Sequence, residues 1–257
     1  MATNLEYRKQ VLWCRSGEKR IYGVAILPAA QGVYPLIVFS HELGNSHRAG
    51  FAYAKRLAAA GYAVYTFDFC GGTAAAGRSD GKTTEMTVST EADDLTAVLA
   101  AARTWEFADP ARIVLLGGSQ GGVVSALVAL CKPDDVAGLI LLYPAFSAPD
   151  HMRRLFSAPD EIPAEFEMFG GWMRLGRDYA LELWDRDFYA DLAGCGKKVL
   201  LLHGDADETV PLRYSQRAAA VLPHCEFHVI PGGGHVFSGP PLETAAALIL
   251  SWLKALF

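Results

Sequence analysis

A short apolar run, Ile113-Val-Leu-Leu116, leads directly into Gly117-Gly-Ser-Gln-Gly-Gly122, and an apolar helical pattern, Val123–Cys131, follows without a break. Few folds use that junction. A buried strand that reverses into a helix within a few residues needs side chains small enough to let the two elements touch, and glycines on both sides of Ser119 meet that need. The serine is left on a sharp turn at the positive end of a helix, where negative charge developing on a reacting atom is favoured. A glycine-rich turn with a merely solvated serine is the plain alternative. The strand on one side and the helix on the other speak against it.

The rest of the chain keeps the same rhythm. Val11–Cys14 and Arg20–Leu27 read as strands joined by a turn at Ser16-Gly17, and Leu36–Ser40 as a buried strand. Phe51–Ala60 is a helix closed by Gly61, and Tyr62–Asp68 the next strand. Ser89–Thr104 is an amphipathic helix with Ser89 as its cap and Leu95, Val98 and Leu99 as its apolar stripe. Val136–Tyr143, Lys198–Leu202 and Glu226–Ile230 are further strands, and Leu242–Phe257 is a closing helix. Alternating strands and helices predict an α/β fold with a mostly parallel central sheet flanked by helices.

One stretch departs from the rhythm. From about Phe146 to Ala190 the chain is rich in aromatic residues and holds Met152, Met168 and Met173. An insertion this long between sheet strands carries its own structure or a function. It reads as a helical cap within a single domain spanning residues 1–257.

Composition excludes several classes. Twenty-three basic against 28 acidic residues leave a net charge of −5, with no electrostatic footprint for nucleic acid or an anionic membrane. The longest apolar runs, such as Val136–Leu142, fall far short of the ~20 residues of a membrane-spanning helix. Met1–Gln10 has neither the apolar core nor the cleavage pattern of a targeting signal. The five cysteines are scattered and form no CxxC pair, so neither a disulfide framework nor a metal site is expected, and a cytoplasmic location is. No dinucleotide fingerprint is present, and no cofactor is expected.

A serine hydroxyl becomes a useful nucleophile only beside a base, and the base must itself be held in one tautomer. His235 follows Pro231-Gly-Gly-Gly just after a strand, at the end of the sheet where ligands collect. His203 sits in a turn that it would order, and His228 lies inside a strand. The acid belongs between serine and histidine in chain order, so Asp205 and Asp207 both qualify. Asp207, further out on the loop, is favoured, with Asp205 bracing the turn. A tetrahedral oxyanion needs two N–H donors. Gln120, after the serine, supplies one, and the loop Ser40-His-Glu-Leu-Gly-Asn45 the other, with Leu43 favoured. His41 is expected to hydrogen-bond within that loop. Glu42 is expected to point away or be paired, because an inward carboxylate would oppose the oxyanion.

These motifs resemble α/β-hydrolases of the bacterial cinnamoyl/feruloyl esterase type across nearly the whole chain. The resemblance rests on Phe39-Ser-His41, Phe67-Asp-Phe-Cys-Gly71, Gly77-Arg-Ser-Asp-Gly81, the serine turn, His203-Gly-Asp-Ala-Asp207-Glu-Thr-Val-Pro211 and Gly234-His-Val-Phe237. It implies an α/β-hydrolase fold, a triad of Ser119, Asp207 and His235, an oxyanion hole of Leu43 and Gln120, and a cap that seats an aromatic acyl group. Candidate substrate contacts are His41, Asp150, His151, Trp172, Met173 and Val236. Two departures stand out: His41-Glu42 where the family often has His-Gly, and Met173 where feruloyl-active relatives offer a tyrosine. The expected activity is that of a serine carboxylic-ester hydrolase on hydroxycinnamoyl or other small acyl esters, with a small-molecule ester as partner and a homodimer as one option. A peptidase or acyltransferase on the same triad, or a non-catalytic ligand-binding relative, are the alternatives.

Overall fold

The computed structural model describes residues 7–74 and 77–257, so the first six residues of the N-terminal stretch read above for a targeting signal lie outside it. Strands β1 (Tyr7–Ser16), β2 (Lys19–Pro28), β3 (Tyr34–Ser40), β4 (Ala63–Phe67), β5 (Ala108–Gly118) and β6 (Gly138–Leu142) precede the insertion. The insertion contains β7 (Glu165–Met168) and β8 (Met173–Gly176), and β9 (Val199–Gly204) and β10 (Cys225–Ile230) follow it. The helices are α1 (Phe51–Ala59), α2 (Val88–Ala102), α3 (Gln120–Cys131), α4 (Ala148–Leu155), α5 (Arg177–Trp184), α6 (Phe188–Leu192), α7 (Arg213–Val221) and α8 (Gly239–Leu256). Eight strands form one sheet in the order β1-β2-β4-β3-β5-β6-β9-β10. Only β2 runs antiparallel to its neighbours, β1 and β4. The pairs from β4 to β10 are all parallel.

The central strands read as unbroken apolar runs because both faces of the sheet are covered. Alternate residues serve opposite cores. Leu36, Val38, Leu115, Leu139 and Leu201 join one core together with α2, α3, α7 and the insertion. Ile37, Phe39, Leu116, Ile140 and Leu202 join the other, beneath α1 and α8.

The strand order reverses at β3, which lies between β4 and β5, and crevices at such switch points are where open α/β sheets bind ligands. The β3–β5 register pairs Phe39 with Leu116 and Ser40 with Gly117. It thereby sets the loop that starts at His41 beside the turn that carries Ser119.

Two expectations about local structure change. The cap of α2 is Thr87, not Ser89. The Thr87 hydroxyl accepts from Thr90 N–H and Thr90 Oγ1 accepts from Thr87 N–H, a reciprocal capping box. Ser89 instead donates its N–H and its hydroxyl to Glu182 on α5. The insertion contains the expected helices and, in addition, an antiparallel hairpin of β7 and β8 with Met168 opposite Met173. Its turn carries three successive positive φ angles, at Phe169 (54°), Gly170 (67°) and Gly171 (85°). The alternation Glu-Phe-Glu-Met before a Gly-Gly pair is the signal that identifies it.

Candidate active site

The turn at Ser119 is as tight as its glycines imply. A Cβ on Gly117 would lie 2.1 Å from the Gly121 carbonyl oxygen, and one on Gly121 would lie 2.3 Å from that of Ser40. The first contact closes strand onto helix, and the second lets α3 abut the end of β3. Ser119 itself is held at φ 49° and ψ −119°, a conformation a non-glycine residue adopts at a cost of ~1–3 kcal/mol. The surrounding glycines and the Ser119 N–H bond to the Leu142 carbonyl (3.0 Å) hold it there.

Three side chains meet across this end of the sheet. The Ser119 hydroxyl donates to His235 Nε2 over 2.9 Å, and His235 Nδ1–H donates to Asp207 Oδ2 over 2.9 Å. Asp207 Oδ1 accepts from the Thr209 and Val210 N–H groups, so the carboxylate is fixed at both oxygens. His203 Nε2 lies 3.2 Å from Asp207 Oδ2 and 2.8 Å from the Val210 carbonyl, while its Nδ1 accepts from Ser215 Oγ. Burial alone would raise the Asp207 carboxyl. The bonds from His203, His235 and Val210 outweigh that and hold it well below the usual carboxylate range. Asp205 braces the neighbouring turn by accepting from Gly232 N–H at 2.7 Å. His203 therefore orders the turn, as expected, and also supports the acid, a role sequence reading did not assign.

Gln120 opens α3, and its N–H belongs to the first turn, where helix donors have no intrahelical acceptor. Leu43 stands opposite, on the loop after β3, and both residues line the same cavity as Ser119. Glu42 lines it too, and it is paired as expected. Its Oε1 accepts from the Tyr143 hydroxyl and its Oε2 from Asn45 Nδ2, each at 3.0 Å. Burial, with the Glu42 charge behind it, pushes the Tyr143 phenol far up, so it stays a donor.

The cavity has a volume of about 310 Å³, at the small end of the ~300–1,000 Å³ range of small-molecule sites. Of the six predicted substrate contacts, His151, Trp172 and Val236 line it. The other three do not. His41 is buried behind the loop, where its Nδ1–H donates to the Glu42 carbonyl and its Nε2 accepts from Phe69 N–H. Desolvation lowers its pKa and keeps it neutral. Asp150 turns the other way, accepting from the Tyr214 hydroxyl (2.7 Å) and from Arg153. Met173 is buried, its sulfur 3.1 Å from where a Cβ on Gly44 would sit, beside the Trp172 ring. Met152, Met168, Phe169 and Tyr179 line the cavity although they were not among the expected substrate contacts. Their presence in the insertion was legible, but which of them face inward depends on the hairpin. Among the described residues no group of three or more His, Cys, Asp or Glu is placed to hold a metal ion. No helix among them is long and apolar enough to cross a membrane.

A mostly parallel eight-stranded sheet, a serine turn after β5, and an acid and a histidine on the loops after β9 and β10 define an α/β-hydrolase. The family model Hydrolase_4, described as serine aminopeptidase, S33, matches residues 33–173, more than half of the chain, and the chain belongs to this family. Est1E from Butyrivibrio proteoclasticus, in its structure with ferulic acid bound, superimposes with a TM-score of 0.87 at 25% identity, covering 95% of this chain and 98% of that one. A monoacylglycerol lipase from Paleococcus ferrophilus shares the fold with a TM-score of 0.73 at 20% identity, over 92% of this chain and 99% of that one. The quorum-quenching protein AidA of Acinetobacter baumannii is 34% identical over 97 residues, 37% of this chain and 31% of AidA. The match thus spans about a third of that curated relative.

Proposed function

We propose that this chain hydrolyses carboxylic esters through an acyl-enzyme on Ser119, and that its acyl group is of the hydroxycinnamoyl, feruloyl-like type. The observation that carries the reading is the unbroken Ser119–His235–Asp207 chain of two 2.9 Å bonds at the edge of a mostly apolar cavity. Ser119 Oγ attacks the ester carbonyl as His235 Nε2 takes its proton, and Asp207 steadies the imidazolium that results. The N–H groups of Leu43 and Gln120 receive the oxyanion. Collapse of the tetrahedral species passes the proton from His235 to the departing alkoxide. Water then repeats the sequence and frees the acid.

The acyl preference is supported by the lining of Met152, Met168, Phe169 and Trp172, whose flat and polarizable surfaces suit a single aromatic ring. It is supported also by the likeness to Est1E, which binds ferulic acid in the structure cited above. The discriminating experiment compares kcat/KM for methyl ferulate with that for a short aliphatic ester, using Ser119→Ala as the blank. A clear preference for ferulate is expected. Preference for the aliphatic ester would leave a general small-ester hydrolase and remove the hydroxycinnamoyl reading.

A second reading, amide hydrolysis, draws on the family description as a serine aminopeptidase. Its measure is amine release from short aminoacyl amides. Rates matching those on esters would favour it over the first.

A further inference from the structure

A second polar chain runs beneath the oxyanion site and ends on a buried carboxyl group. The Tyr179 hydroxyl, on α5 of the insertion, donates to Gln120 Oε1 over 2.6 Å. Gln120 Nε2 donates in turn to Glu91 Oε2, on α2, over 2.8 Å. Glu91 is 1% exposed, and its other oxygen, Oε1, has no hydrogen-bond partner among the described residues. That oxygen lies against Gly72, where a Cβ would come within 2.7 Å of it. None of the Ser119, His235 and Asp207 contacts involves this chain.

We propose that Glu91 is a positioning residue: through the side-chain amide of Gln120 it locks one oxyanion donor to the wall of the acyl cavity formed by Tyr179. The inference rests on the ester-hydrolase reading above and deepens it. With both ends of its amide held, Gln120 can rotate neither away from nor toward Ser119, so its backbone N–H keeps one direction. The same amide joins two elements far apart in sequence, α2, which packs on one face of the main sheet, and α5 of the insertion.

The chain works with Glu91 protonated. A buried carboxylate with one oxygen unpartnered is costly, whereas the neutral acid is tolerated. Burial pushes the group up to about 8, and the charges of Asp94, on its own helix, and Glu182, on α5, push it the same way, against the Gln120 bond. The remaining groups facing it are the Tyr179 phenol and, across Gly72, the His41 ring, which burial keeps neutral. None of these groups is a cation that would hold Glu91 ionised. Ionisation would place a negative charge one side chain away from a developing oxyanion and force Oε1 to seek a donor. Both effects oppose the transition state.

The test measures kcat/KM for an ester, and separately the rate of Ser119 phosphonylation by a fluorophosphonate, against pH for wild type, Glu91→Gln and Tyr179→Phe. Phosphonylation reads the same oxyanion site without depending on the ester chosen. Wild type is expected to lose activity on the alkaline side with a midpoint near 8. Glu91→Gln, which keeps the acceptor for Gln120 without the ionisation, is expected to lose that limb while remaining active near neutrality. Tyr179→Phe is expected to lower kcat more than it raises KM. Thermal stability followed over the same pH range supplies the control. Wild type should fall relative to Glu91→Gln as pH rises from the ordinary carboxyl range to about 8, because the folded state retains a proton that the unfolded state releases. If stability shows this difference but both rate profiles keep the alkaline limb in Glu91→Gln, the positioning role is overturned. If stability shows no difference, Glu91 does not titrate as proposed and the inference fails. Phosphonylation with no ester turnover would instead overturn the ester-hydrolase reading while leaving Glu91 to be judged by the labelling profile.

Discussion

The Tyr143 hydroxyl donates to Glu42 Oε1 over 3.0 Å, directly behind the glycine that precedes the candidate nucleophile. A Cβ on Gly118 would lie 2.6 Å from that same oxygen. The glycine is therefore required by a carboxylate on a different strand's loop as well as by the turn. Tyr143 also packs its ring 5.2 Å from that of His235. The pair thus ties the loop after β3, the serine turn and His235 into one block.

Gly118→Ala is expected to destabilise the fold by ~1–3 kcal/mol, the usual cost of overpacking a filled site. Glu42→Ala removes the obstructing oxygen, so the double variant should recover part of that loss. A double-mutant cycle from urea unfolding should give a coupling of ~0.5–3 kcal/mol. Additivity of the two single changes would mean that the turn geometry, not Glu42, excludes a side chain at position 118.

Asp207→Asn should cut kcat by about 10⁴-fold while leaving the fold intact, because an amide supports the wrong imidazole tautomer. Its effect on stability has a defined pH sign. The folded carboxyl sits below its unfolded value of 3.8, so its stabilising contribution is present above that value and fades as pH falls towards the folded one. The stability gap between wild type and Asp207→Asn, measured by thermal unfolding, should be full at neutral pH and shrink in strong acid. A gap that widened in acid would contradict the assignment.

Trp172 is 54% exposed yet lines the cavity, so its removal separates recognition from folding. Trp172→Ala should leave stability within about 0.5 kcal/mol. It should lower kcat/KM for methyl ferulate by roughly tenfold, the loss of an aromatic contact of about 0.5–1.5 kcal/mol with its share of apolar burial. The short aliphatic ester should be little affected. Equal losses on both esters would place Trp172 outside the acyl subsite.

Much of this arrangement was legible because the chemistry is local. The serine turn, the chain order of Ser119, Asp207 and His235, and the cavity-lining residues Leu43 and Gln120 each sit within a few residues of a strand end, where short motifs decide the geometry. Side-chain direction was less legible. His41 and Asp150 have the right composition for substrate contacts, but one is drawn inward by Phe69 N–H and the other outward by Tyr214. Both partners are distant in sequence. Met173 is buried because β8 alternates, and a four-residue strand inside an aromatic segment is easily taken for helix. The Glu91–Gln120–Tyr179 chain was invisible for the same reason, since it joins three elements that only the fold brings together.

The backbone of Ser119 offers the sharpest separation of stability from function. At φ 49° a side chain clashes with its own backbone, and only glycine escapes the penalty. Ser119→Ala keeps the Cβ and hence the strain; Ser119→Gly relieves it. Both variants lack a nucleophile and should show no ester turnover. Ser119→Gly should nevertheless be the more stable of the two by ~1 kcal/mol in urea unfolding, the strain relieved at φ > 0 exceeding glycine's greater unfolded-state entropy. Equal stability would mean that the contacts around the turn, rather than an opposed local preference, hold the serine in place.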